Sequence, residues 1–193
     1  HILPLSTIQN YRFSENGDGG FLTSGVGAIT CGLDTEIFEN VLKKTVKAFE
    51  NEPYVGILGV DVVRNKDGYS VLGYRNFFKD DDIQVVLNSI DENLIELFEA
   101  CANGSFSDEY DEVLLNDNYS VSCVINSRQK LPKLNNLDLI ESDIIYLSDK
   151  SFVLTSKAKT IRHAKSKLDE DILLINFKGM HYRSDIIHNF SDL

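Results

Sequence analysis

The sequence predicts a mixed α+β fold, and three observations carry the prediction. Two runs rich in β-branched and aromatic residues, Tyr54 to Val63 and Tyr69 to Phe78, flank Asn65-Lys66-Asp67-Gly68, whose composition favours a hairpin turn. On either side of that hairpin, apolar residues recur at helical rather than strand spacing. Further on, strand-like alternation returns and gives way to one more helical segment.

Element by element, residues 1–30 hold five glycines, at positions 17, 19, 20, 25 and 27, which predicts a loop with unusual backbone angles leading into a short buried strand. A helix from Asp34 to about Glu50 follows, with Ile37, Phe38, Val41, Leu42, Ala48 and Phe49 at helical spacing and Asp34 or Thr35 as its cap. After the hairpin, Ser89 to Ala102 predicts a second helix. Ser89 and Glu92 have capping-box spacing, Ile90, Leu94, Leu97, Phe98 and Cys101 line one face, and Asn103-Gly104 ends it. The acidic run Ser107 to Glu112 predicts a boundary between two lobes, 1–106 and 107–193. Beyond it, Tyr119 to Asn126, Ile144 to Leu147 and Phe152 to Thr155 predict strands. The polar stretch Ser127 to Ser142, with Pro132, predicts a loop. A final helix from about Thr160 to Ile175 places Ile161, Ala164, Leu168, Ile172 and Ile175 on one face.

The chain has 193 residues and a formal net charge of -11, with 42% hydrophobic and 25% charged residues. That is enough for one substantial core or two small ones. So acidic a chain is a poor general binder of nucleic acid or anionic membrane, because phosphate recognition needs a positive field. The three cysteines, Cys31, Cys101 and Cys123, are widely spaced without a CxxC pair and predict reduced core residues. An intracellular location, cytoplasmic or nuclear, is therefore expected. No stretch approaches the roughly 18 apolar residues that a membrane span needs, and the start HILPLS lacks the basic-then-apolar order of a signal peptide.

The run Val71 to Leu87 reads VLGYRNFFKDDDIQVVL. It resembles, without a gap, the run VIEFNARFGDPETQVVL of phosphoribosylamine-glycine ligases, members of the ATP-grasp superfamily. The opening, LPLSTIQNYRFSENGDGGFLTSGVGAI, is similar to that family's PLxxxQDHKRxxDGDxGPNTGGMGAY and shares Pro4, Leu5, Gln9, Gly17, Asp18, Gly20, Thr23, Gly25, Gly27 and Ala28. The run IDENLIELFEACANGSF is similar to its ESDLLELLLACxxG helix, and Phe177 to Ile186 to its FxGMFYRRDIG close. The resemblance implies the carboxy-terminal half of an ATP-grasp fold, a mixed or antiparallel sheet with helices, followed by a small β-rich C-terminal lobe with a final helix.

In the family run, the Glu and the first Asn hold the magnesium that bridges the ATP phosphates. They fall here on Gly73 and Arg75, and the motif's Arg falls on Phe77. Magnesium demands hard oxygen ligands in near-octahedral geometry, which neither an absent side chain nor a permanent cation supplies. The resemblance is therefore to a degenerate member. The expectation is a non-catalytic module for protein interaction or assembly, with no catalytic residue, no metal site at the former ligand positions Gly73 and Arg75, and no cofactor. It would have a protein partner, lie off the membrane and belong to a longer chain. Its candidate interaction residues are Phe13, Phe21, Leu22, Tyr74, Phe77 and Phe78, aromatic or apolar where the family is polar or beside such positions; filling of the vacated cleft is the equal alternative. The second reading is a divergent but active ligase joining glycine to phosphoribosylamine with ATP. A weaker one is nucleic-acid contact through Lys157, Lys159, Arg162, Lys165 and Lys167, which otherwise form a solvated face. Asp80-Asp81-Asp82 is expected to be a solvated turn, and His181 and His188 lack a third ligand at zinc spacing.

Overall fold

The computed structural model describes residues 2–30, 32–49, 51–52, 54–66 and 68–190, without the side chain of Ser107. Its centre is an antiparallel sheet in the order β1 (Ile8–Glu15), β2 (Gly19–Thr30), β5 (Tyr119–Ser127), β7 (Ser151–Ala158), β6 (Asp143–Tyr146), with the short β8 (Met180–His181) also paired to β5. The register is set by apolar pairs, among them Tyr11 opposite Gly27, Ile29 opposite Val121, and Ile125 opposite Phe152. The opening is thus two long paired strands, where a loop and one short strand were expected from its glycines. At Gly27 a Cβ would stand 2.7 Å from the backbone oxygen of Ser122 and 2.7 Å from Cδ1 of Ile186, so the glycine allows close strand approach rather than a turn.

Helix α6 (Ile161–Leu174) covers one face of the sheet, and its Ile161, Ala164, Leu168 and Ile172 pack with Tyr11, Ile29, Val121, Cys123, Ile125, Phe152 and Leu154. Each aliphatic chain buried this way contributes roughly 1.5–3 kcal/mol. Thr160 caps the helix, its hydroxyl accepting from the His163 amide at 3.2 Å. The 127–142 segment is a loop as expected, with Leu134 buried and Ile140 packed on the main core.

A second, smaller core surrounds α3 (Ile83–Leu87) and α4 (Leu94–Asn103), where Ile83, Val86, Ile90, Leu97 and Val113 are buried. Here the expected capping box is corrected. Helix α4 starts later, capped by Asn93, whose side chain accepts from the Ile95 amide at 3.1 Å. Ser89 is instead buried and donates to the Val86 carbonyl, while Ile90 bridges to Leu115. Gly104, with φ 74°, ends α4 in the left-handed conformation as the sequence implies. The short α5 (Phe106–Glu109) follows. The boundary expected at residue 107 falls between α4 and β5, and the sheet runs across it through the β2–β5 pairing.

The first helical segment consists of α1 (Thr35–Ile37), a π-turn (Phe38–Leu42) and α2 (Lys43–Lys47), with Asp34 accepting from the Ile37 amide. The expected hairpin is present as β3 (Gly59–Asn65) and β4 (Gly68–Arg75), a two-stranded sheet of its own; Asp67 lies outside the described residues. None of its described residues is buried. It is tied to the first helical segment by the Tyr69 hydroxyl, which donates to Asp34 at 2.6 Å.

Candidate functional site

Two polar clusters flank β1, on opposite faces because successive strand residues point opposite ways. Asn10 faces the first cluster and Tyr11 the second.

The first cluster holds the residues of the altered motif. β4 delivers Arg75, whose guanidinium lies 2.8 Å from Asp61 on β3 and 3.5 Å from Asp82 at the start of α3. Asn10 donates to the same Asp82 carboxylate at 3.2 Å. Asp81 and Asp82 are only 7% and 4% exposed, which corrects the expectation of a solvated turn for these two; Asp80 alone is exposed. The turn folds inward because Gly25 leaves room: a Cβ there would collide with the Asp81 carboxylate and come within 3.1 Å of Asn10 Oδ1. Burial pushes the Asp82 carboxyl above its ordinary value, against the pull of Arg75, with the Asp81 charge adding to the rise. Asn10 Oδ1, Asp81 Oδ2 and Arg75 Nε are buried without a hydrogen-bond partner.

Magnesium does not fit at the former ligand positions. A side chain on Gly73 would meet open space, with no atom within 4 Å, and the Arg75 guanidinium is committed to two carboxylates. Among the described residues no group of three or more His, Cys, Asp and Glu side chains is arranged to hold a metal ion.

The second cluster was not singled out from the sequence, although Asp18, Arg183 and Asp185 all lie within the resembling phrases. Arg183 is 1% exposed, yet it is a cation. It is held by Asp185 at 2.6 Å and Asp18 at 2.8 Å, donates to the Phe13 carbonyl at 3.3 Å, and lies 5.1 Å from the centre of the Tyr11 ring. His188 approaches Asp18 at 3.4 Å and Asp185 at 3.5 Å. Burial tends to raise the Asp185 carboxyl, but the hydrogen bonds from Arg183 and the Gly17 amide outweigh it and hold the group below its ordinary value. Burial lifts the Tyr11 hydroxyl to about 12.

Of the candidate interaction residues, Phe13, Phe21, Leu22, Tyr74 and Phe77 are exposed, Phe21 at 71%. Phe13 and Leu22 are register partners on β1 and β2, while Tyr74 lies opposite Val60 on the hairpin. Phe78 is different, turning into the smaller core against Phe98 at 6.2 Å between ring centres. The basic residues do not form a free positive surface. Lys165 is buried against Asp169 at 2.5 Å, Lys167 pairs with Glu141 at 2.7 Å and Lys159 with Asp117 at 3.4 Å; Lys157 and Arg162 are exposed. Two shallow grooves, of about 310 and 390 Å³, lie beside Pro4 and Leu114 and along α6 beside His163 and Asp171. Neither includes a residue of the altered motif. Among the described residues no helix is long and apolar enough to cross a membrane.

No protein-family model matches the chain. Among curated proteins it is 27% identical to the trifunctional purine biosynthetic protein adenosine-3 of Gallus gallus, over 96% of this chain and 21% of that protein. It is 26% identical to the phosphoribosylamine-glycine ligase of Caldanaerobacter subterraneus, over 96% of this chain and 51% of that ligase. Over 55% of its length it reaches 31% identity to the Pyrococcus furiosus ligase, covering 27% of the latter. Among solved structures it superposes on the Thermotoga maritima phosphoribosylamine-glycine ligase with a TM-score of 0.69 at 19% identity, over 95% of this chain and 51% of that one. The biotin carboxylase domain of Hydrogenobacter thermophilus 2-oxoglutarate carboxylase, solved with MgADP, ADP and bicarbonate, gives 0.64 at 13% identity, over 93% of this chain and 44% of that one.

These likenesses correct the expectation that the chain stands apart from enzymes, since proteins it matches over almost its whole length are named phosphoribosylamine-glycine ligase, trifunctional purine biosynthetic protein and biotin carboxylase. The chain spans about half the length of the Caldanaerobacter and Thermotoga ligases. The chain is thus similar in sequence to phosphoribosylamine-glycine ligases over almost its whole length, and it has the α+β fold of about half of one.

Proposed function

We propose that this chain forms one part of a divergent ATP-dependent carbon-nitrogen ligase of the phosphoribosylamine-glycine ligase type, which joins glycine to phosphoribosylamine in purine synthesis. One observation carries the proposal: collinear similarity to such ligases over 96% of the chain. The fold agrees, with a TM-score of 0.69 to a solved ligase of that name.

Within this reading the chain supplies scaffold: the antiparallel sheet, the glycines that let strands and carboxylates approach, and the Arg183 cluster. Positions 73 and 75 offer no metal ligand, so no step of the reaction is assigned to them. The rest of the ligase would pack against the hairpin β3–β4. A two-stranded sheet without a buried face is marginal in water, and Val63, Val71, Leu72, Tyr74 and Phe77 leave apolar surface exposed there.

The test is rescue of a purine auxotroph lacking the ligase by the full natural protein containing this segment, paired with an assay of ADP release in vitro. Rescue together with ADP formation that requires both glycine and phosphoribosylamine is expected. Neither rescue nor glycine-dependent ADP formation, from a well-folded protein, would overturn the proposal.

A further inference from the structure

We propose that the outer face of α4, together with the groove beside Leu114, docks a basic amphipathic segment of a partner protein. The inference goes beyond the ligase reading and does not depend on it. Charge is placed unevenly along this chain. Residues 80–127 hold twelve of the 30 acidic residues and none of the 19 basic ones, so this stretch accounts for the acidity of the chain and the remainder is close to neutral. Helix α4 lies inside it and is apolar on two sides. Leu94 and Leu97 face the smaller core, and Ala100 is buried. Ile95, Phe98 and Ala102, at positions i, i+3 and i+7, form a second stripe that meets solvent: Ile95 is 71% exposed, Phe98 40%, and Ala102 is exposed as well. Leu114, 54% exposed, is tied to the start of the same helix, its amide donating to Glu92 at 3.3 Å and its carbonyl accepting from the Asp91 amide at 2.8 Å. It also lines the groove of about 310 Å³ with Pro4, Leu33 and Glu112.

Carboxylates edge this apolar surface. Glu92, Glu96 and Glu99 follow one another at spacings of four and three, on the side of the helix next to Ile95, and like charges so placed repel. Glu92 accepts from the Leu114 amide and Glu96 from the Asn93 side chain at 2.8 Å; among the described residues no cation pairs with either. The Tyr110 hydroxyl registers the same field: desolvation raises it above its ordinary value, and Glu92, Glu96 and Glu109 raise it further. Exposed apolar side chains rimmed by uncompensated carboxylates fit a ligand of the opposite pattern, a segment with large aliphatic residues on one side and Lys or Arg along the other. A second copy of this chain does not supply that pattern through the same face, because acidic rim would meet acidic rim. Nucleic acid and anionic lipid carry the wrong sign.

The experiment uses the full natural protein and three fluorescein-labelled peptides: a Leu/Lys amphipathic helix, a Ser/Lys peptide of the same charge, and a Leu/Glu amphipathic helix. Fluorescence anisotropy should show saturable binding of the Leu/Lys peptide, about tenfold weaker binding of the Ser/Lys peptide, and none of the Leu/Glu peptide. Ile95→Asn and the pair Glu96→Gln/Glu99→Gln change exposed side chains and, each shown folded by circular dichroism, should weaken Leu/Lys binding about tenfold. The effect of the glutamate pair should shrink in high salt. Leu173→Asn, which removes an equally exposed leucine on α6, should leave binding unchanged. Four results would overturn the proposal: a Ser/Lys peptide that binds as tightly as Leu/Lys, a Leu173→Asn loss equal to that of Ile95→Asn, a full protein that binds no peptide because its own chain covers α4, or a dimer in sedimentation that Ile95→Asn abolishes, which would assign the face to a second copy.

Discussion

Replacing Arg183 by Met keeps the length and bulk of the side chain while deleting its charge and its fork of donors. The loss can be worked from the contacts. Arg183 has two carboxylate partners at 2.6 and 2.8 Å, a carbonyl at 3.3 Å and the Tyr11 ring centre at 5.1 Å. Breaking a buried ion pair from one side costs about 3–5 kcal/mol, because the remaining charge is left uncompensated. That figure is discounted here, since the Asp18 and Asp185 side chains are 44% and 20% exposed and can regain water. A loss of about 2–4 kcal/mol is expected, or roughly 4–16 °C in Tm for a domain of this size. With no tryptophan and eight tyrosines, urea unfolding is followed by tyrosine fluorescence. The acid limb adds a second signature. Asp185 sits below its ordinary value when folded, so its contribution is present above the unfolded carboxylate range and is lost as pH falls through the folded value. That part of the acid sensitivity should shrink in Arg183→Met, leaving only what the Gly17 amide and His188 contribute. A variant within about 0.5 kcal/mol of wild type, the size of an ordinary surface change, would refute the assignment of Arg183 as an electrostatic anchor.

Gly27→Ala should destabilise the sheet by about 2 kcal/mol, since its new methyl meets the Ser122 backbone oxygen and Ile186 at 2.7 Å each; chemical denaturation measures it. Thr160→Ala should cost about 1 kcal/mol through loss of the α6 cap, and Thr160→Ser should recover most of it. Alkaline unfolding supplies a third check. Burial raises the Cys123 thiol and the Tyr11 hydroxyl to about 12, so the stability they contribute is complete below the unfolded values and fades as pH climbs toward 12. Cys123→Ala should flatten that decline in a pH series of urea midpoints.

Much of the fold was legible because it follows from short-range signals. Asp34 capped its helix, Gly104 ended α4, the hairpin turn was readable from composition, and the apolar stripe of α6 gave its buried face. What failed depended on tertiary partners. Ser89 and Glu92 have capping-box spacing, but Ser89 is drawn into contact with Ser6 and Val86, and Glu92 accepts from the Leu114 amide. The glycines of β2 read as a loop because a sequence cannot show which backbone will approach them. Asp81 and Asp82 were expected in solvent for the same reason, since the cations that let carboxylates go inside arrive from β4 and from the segment before α3. Phe78 could be told from Phe77 only by its ring contact with Phe98.

The segment 182–190 fastens onto the opening hairpin. Ser184 and the Asp185 carboxylate bond Asn16 and Gly17 across 168 positions, the Ile187 amide reaches the Tyr11 hydroxyl across 176, and Asn189 reaches Gln9 across 180. Closure over such distances is slow, because loop entropy opposes it until late contacts form. While the polypeptide is still being synthesised, the opening hairpin lacks these ties, and β1, the edge strand of the sheet, is more open to wrong pairing with a neighbour. Clipping within 182–190 should free the opening hairpin in the finished molecule and make its edge a seed for aggregation.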